Sequence, residues 1–127
     1  MHRSRLSAIV IDCLDEHFEE CIRFWASAFG CKPPRKPARD QRYVALKAKP
    51  GGLDILIQRV QKDPGFHLDF ETDSVAKESA RLEALGAERK YKVKSWWVMK
   101  DPSDNAFCVI RKQHPALLEA ATPWEDD

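Results

Sequence analysis

Five side chains in this sequence carry groups that hold metal ions or move protons, and all five sit in short apolar stretches. They are Asp12 in "SAIVIDC", His67, Asp69 and Glu71 in "GFHLDFET", and Cys108 in "AFCVI". Histidine titrates near neutrality, which suits proton transfer, and its neutral ring is also a metal ligand. His67 therefore has three readings: ligand, general base, or core histidine hydrogen-bonded to a neighbouring strand. Cys108 is a nucleophile only with a lowered pKa and an adjacent base. His67 is the base the sequence offers. Otherwise the thiol packs as a small hydrophobe in its apolar run. Asp12 ends an apolar strand, where a carboxylate either caps and faces solvent or stands at the rim of a site. Asp69 and Glu71 alternate with Leu68 and Phe70, which gives a strand with one wet face. No glycine-rich phosphate loop, Ser/His/Asp arrangement or nucleotide motif is visible.

The elements that position these groups follow from periodicity. Ser7 to Cys13 is β-branched and apolar and reads as a buried strand. A helix follows, with Asp15 as the expected N-cap and Phe18, Cys21, Ile22, Trp25 and Phe29 along one stripe. Gly30 ends it. "KPPRKPARDQ", with three prolines among basic residues, is a loop or an irregular edge strand. Its cations either form a solvated face or gate a site for an anionic ligand. "RYVALKA" and "LDILIQRV" are strands joined by a "KPGG" turn. The pattern then restarts. Gly65 to Thr72 is a strand, Asp73 or Ser74 caps a second helix, and Val75, Ser79, Leu82 and Leu85 mark its inner face up to Gly86. "KYKVK", "SWWVMKD" and "AFCVIRK" supply three more strands. Trp96 and Trp97 are adjacent, so they point to opposite sheet faces. The tail from residue 114 holds a helical turn, Trp124 docks it, and its acidic end is expected to fray.

This is strand, helix and strands, twice over: one supersecondary unit repeated, neither copy able to cover its own sheet face alone. The 127 residues make one domain, with modules at about 6–61 and 65–113 and a tail at 114–127. Lys plus Arg number 21 against 20 Asp plus Glu, a balance that gives no electrostatic reason to expect nucleic acid or an anionic membrane. No apolar run approaches the roughly 20 residues that span a bilayer. The basic, then apolar start is interrupted by Asp12 and does not read as a signal peptide, so a cytoplasmic protein is expected. Cys13, Cys21, Cys31 and Cys108 form no CxxC pair, and thiols rather than disulfides are expected.

Three stretches in this order resemble the vicinal oxygen chelate superfamily, which includes glyoxalase I, bleomycin-resistance proteins and extradiol dioxygenases. "DEHFEECIRFWASAFG" resembles the family's first helix. "FHLDFETDSVAKESARLEALGAE" resembles the strand and helix that open its second module, and "WWVMKDPSDNAFCVI" its last hairpin. The likeness covers about residues 6–112 and is nearest to a glyoxalase-like subgroup whose first strand ends "DC" and whose last strand reads "FC". It implies an α+β fold: two tandem βαβββ modules forming a curved, cup-shaped mixed sheet with helices on the outside, paired as a homodimer.

The resemblance also implies a metal ligand on the first and last strand of each module. In the second module these positions fall on His67 and on Cys108, where the family usually has Glu. In the first they fall on Ala8 or Ile9 and near Leu56, none of which binds metal, with Gln58 as a weak substitute on Leu56's face. Two side chains rarely hold a catalytic metal, so a degraded or absent divalent metal site is expected. The implied function is binding of a small organic molecule in the cup. Any catalysis would be lyase or isomerase chemistry with His67 as base, oriented by Asp12 or Glu71. Gln58, Asp69, Trp96 and Trp97 would line the pocket. The alternative is a non-catalytic protein that sequesters a drug or metabolite, as bleomycin-resistance proteins do.

Overall fold

A computed structural model describes residues 1–125; Asp126 and Asp127, where fraying was expected, lie outside the described residues. The chain is mixed α+β. In order it forms strand β1 (His2–Leu14), helix α1 (Phe18–Phe29), strands β2 (Tyr43–Leu46), β3 (Asp54–Val60) and β4 (Gly65–Thr72) and helix α2 (Val75–Ala84). Strands β5 (Glu88–Val93), β6 (Trp96–Lys100) and β7 (Ala106–Arg111), a short helix α3 (Pro115–Glu119) and strand β8 (Thr122–Trp124) complete it. The second repeat has the full βαβββ order. In the first, the stretch between Gly30 and Tyr43 forms no strand. Pro33, Pro34 and Pro37 remove the donors a strand ladder needs. The chain divides into two compact units, residues 8–67, and residues 1–7 with 68 onward.

In the unit spanning residues 8–67, β1 runs parallel to β3, from Ala8 opposite Asp54 to Leu14 opposite Val60. Strand β2 pairs antiparallel to the other edge of β3. Alternate residues of the strands (Ile11 and Cys13, Val44 and Leu46, Ile55 and Ile57) pack against Phe18, Ile22 and Ala26 of α1. Period 2 in the strands and period 4 along the helix thus meet in one core. Gly30 closes α1 in the left-handed conformation, φ 75°. Asp15 is not its N-cap: His17 holds that position without a side-chain bond, and Asp15 starts a 3₁₀ turn. The reason is Arg59, whose Nη1 reaches Asp15 at 2.6 Å and whose guanidinium lies over the Phe18 ring at 4.4 Å. Burial pushes the Cys13 thiol up to about 12, reinforced by a hydrogen bond with Cys21 and the charge of Asp12. Cys13 is therefore an unreactive packing group.

In the other unit, β4 runs parallel to β7, and β6 lies between β7 and β5 with antiparallel pairing to both. Ser74 caps α2, its Oγ accepting from Lys77 N at 3.2 Å. Ser74→Ala should cost about 1 kcal/mol. Thermal unfolding should register this as a fall of about 4 °C. The inner face of α2 differs from the expected one. Ser79 is buried, but Leu85 is 71% exposed and Glu78 is fully buried. Glu78 points inward because hydrogen-bonding partners meet it there: His2 Nε2 at 2.7 Å, and the Arg81 guanidinium through Nε and Nη2 at 2.8 Å each. Arg81 also stacks on Trp124 at 3.7 Å, and Trp124 Nε1 donates to Ser4 Oγ at 2.8 Å. These contacts dock the tail through β8, which pairs with the start of β1. None of the four cysteines is in a disulfide. Among the described residues no helix is long and apolar enough to cross a membrane.

Candidate metal centre

Ile11 and Cys13 face α1, so Asp12 between them faces the opposite side of the strand. Ile55 and Ile57 likewise turn Gln58 to that side. Asp12 and Gln58 are register partners, and Gln58 is in turn opposite Tyr43. A polar row thus crosses the face of these three strands that points away from α1. At its end, Asp12 Oδ2 lies 2.7 Å from His67 Nδ1, and each side chain is only 16% exposed. A carboxylate oxygen at that distance is an acceptor for the ring N–H, a pairing that orients the imidazole with Nε2 directed away from Asp12. Asp12 Oδ1 is buried with no hydrogen-bond partner among the described residues.

Strand β4 is unbroken from Gly65 to Thr72, so His67 and Asp69, two residues apart, share one face. Asp69 is the register partner of Cys108 on β7. The ligand atoms of His67, Asp69 and Cys108 all lie within 4.8 Å of one another, and all three side chains are partly buried. Around one tetrahedral zinc with bonds of about 2.0–2.3 Å, such atoms sit roughly 3.3–3.8 Å apart. The three therefore fit one ion after a small inward shift. Three protein ligands with a fourth position open is the pattern of a catalytic rather than a structural metal. An Asp carboxylate on the far nitrogen of a ligand histidine is the usual outer support of such a site.

The structure sorts the sequence candidates. The ligand atoms of His67 and Cys108, the two positions marked by the resemblance, lie near one another. Asp69, expected only to line a pocket, brings a third donor. Its signal was present in the sequence: His-x-Asp in a strand puts both groups on one face. Asp12 holds His67, whereas Glu71, the other carboxylate considered for that task, is engaged elsewhere. Its Oε2 accepts from Arg5 at 3.1 Å and its Oε1 from the backbone N–H of His114 at 3.1 Å. Glu71 is fully buried, and it links β4 to the start of β1 and to the segment before α3. Val98 is the register partner of Cys108, so Trp96, two residues before it, shares the Cys108 face. Trp97 lies on the opposite face with the buried Met99 and Val109, and Arg89 stands over its ring at 5.2 Å.

A family model for the glyoxalase-like domain matches residues 8–110. The chain belongs to the glyoxalase-like family. It is similar to methylmalonyl-CoA epimerase from Mycobacterium tuberculosis, at 12% identity over 88% of this chain and 90% of that one, with a TM-score of 0.59. It is also similar to an extradiol ring-cleaving dioxygenase from B. fuscum, at 15% identity, covering 87% of this chain and 33% of that one, TM-score 0.52. A structure described as an NAD-dependent benzaldehyde dehydrogenase from Legionella pneumophila shares 12% identity over 83% of this chain and 99% of that one, TM-score 0.60. At such identities the likeness establishes the fold of the glyoxalase-like domain alone. The comparison with curated proteins finds no match.

Proposed function

We propose that this glyoxalase-like protein binds a small organic molecule on the face of β4 that carries His67, and isomerises or cleaves it with a divalent metal held by His67, Asp69 and Cys108. The observation that carries the reading is the grouping of those three donors within 4.8 Å. When bound, a divalent metal supplies Lewis-acid polarisation of a ligand oxygen. The chain's own residues do the rest. Asp12 accepts the Nδ1 proton of His67 at 2.7 Å, which fixes the tautomer and orients the ring. Gln58, beside Asp12 in register, offers an amide that can donate to and accept from a polar ligand. Trp96, on the Cys108 face, contributes apolar area and one N–H. The protein is taken to work as a homodimer, by family likeness, and in the cytoplasm, a placement that four cysteines outside any disulfide support.

The Asp12–His67 bond also favours a second reading, in which no metal takes part and Nε2 of His67 removes a proton from the ligand directly. A ligand screen separates the two. Metal-stripped and zinc-loaded protein are compared by thermal shift against small α-hydroxy and α-keto compounds. The metal reading expects compounds that raise Tm only in the loaded protein. A compound that stabilises both forms equally, and is turned over by the stripped form, contradicts it. Asp12→Asn should lower zinc affinity by about 10–100-fold while leaving the three donors in place, which competition with a chromogenic chelator measures.

A further inference from the structure

We propose that Cys108 enters the site as a thiolate ligand and makes it selective for thiophilic metals, zinc foremost, over manganese and magnesium. The inference rests on the metal reading above and adds the identity of the ion. The first support is position. Cys108 stands directly opposite Asp69 in the parallel β4–β7 ladder, and register partners in such a ladder project from the same sheet face. The thiol is thus placed beside the carboxylate and the imidazole, with all three donor atoms within 4.8 Å.

The second support is the donor set. Magnesium and calcium take oxygen ligands, and carboxylate, carbonyl and water suit manganese. One imidazole, one carboxylate and one thiolate form a mixed N/O/S set of the kind that binds zinc, and thiolates select soft metals. Charge agrees as well: one carboxylate and one thiolate neutralise a divalent ion, and a histidine ligates as the neutral imidazole. Binding needs no redox partner. The thiol proton leaves to solvent as the sulfur–metal bond forms.

The third support is contrast with the other thiols. Cys13 is buried in the core against α1, with Cys21 and Cys31 packed beside it. Cys108 alone among the four belongs to the cluster with an imidazole and a carboxylate.

The test uses the full chain, stripped with chelator and titrated with cobalt(II), zinc or manganese. Wild type should take one cobalt with a sulfur-to-cobalt charge-transfer band in the near ultraviolet, and should prefer zinc to manganese by at least about 1000-fold. Cys108→Ser should lose the band, and Cys108→Asp should narrow the zinc preference by about 10-fold or more. A measurement without any variant guards against misfolding. In wild type, zinc should slow alkylation of the Cys108 peptide by iodoacetamide, read by mass spectrometry, and leave Cys13 unchanged. If cobalt binds with no charge-transfer band and zinc gives Cys108 no protection, thiolate ligation is wrong and the metal is held without Cys108. If neither metal binds, both are wrong.

Discussion

His67→Ala will reduce zinc binding by at least about 100-fold, more than the loss of the supporting carboxylate at Asp12 produces. The substitution removes a nitrogen donor outright and leaves Asp69 and Cys108, a pair too small for a catalytic site. It also strips Asp12 of its partner. Asp12 Oδ1 already lacks a hydrogen bond among the described residues, so both oxygens of a largely buried carboxylate would then be unmatched by His67. That should lower stability by about 1–3 kcal/mol. Titration calorimetry with zinc and a thermal melt of the stripped protein separate the two effects. Unchanged zinc affinity in a folded His67→Ala protein would place the metal elsewhere.

Glu78→Gln will cause a large stability loss, about 3 kcal/mol at neutral pH. The substitution leaves the fully buried contact without its charge, facing both His2 and Arg81. For a domain of this size the melt should shift down by about 10 °C. The pH dependence has a definite sign. Burial raises the Glu78 carboxyl, but hydrogen bonds from Arg81, His2 and Ser4, with the Arg81 charge, outweigh it and hold the group below its ordinary 4.5. The folded state therefore binds fewer protons than the unfolded state in that range. The contribution is fully present above about pH 4.5 and fades as the pH falls through the lowered folded value. Denaturant midpoints measured from pH 6 down to pH 3 should fall more steeply for wild type than for Glu78→Gln. Parallel slopes would mean that Glu78 is not the group responsible.

Much of the fold was legible because its patterns are local. The bounds of β4, Gly65 to Thr72, coincide with the alternating run "GFHLDFET". The stripe on α1 from Phe18 to Trp25 and the stop at Gly30 follow from period and from glycine's tolerance of positive φ, whereas Phe29, expected on that stripe, is exposed and Ala26 is buried in its place. What stayed hidden depends on partners far along the chain. β1 begins at His2, well before its apolar run, because its polar start pairs with β8 near the other terminus. Glu78 faces inward only because His2 and Arg81 meet it, and a helix pattern reads a glutamate as solvent-facing. Asp15 leaves the cap position for Arg59, a contact no local rule contains.

At the candidate site, His67 and Cys108 were marked by family likeness, and the structure brings them together. The role of Asp69 depends on the β4–β7 register, which sets it against Cys108 rather than one residue away. The choice of Asp12 over Glu71 as the partner of His67 also needed three dimensions. Arg5 and the His114 backbone engage both oxygens of Glu71.

The central claim is that this glyoxalase-like chain holds one divalent metal with His67, Asp69 and Cys108. The most direct measurement is the metal content of untagged protein, equilibrated with zinc and desalted, by elemental analysis against protein concentration. The account predicts close to one zinc per chain, with Asp69→Asn and His67→Ala each well below that. Zinc no higher than in the desalting buffer, from folded wild-type protein, would contradict it.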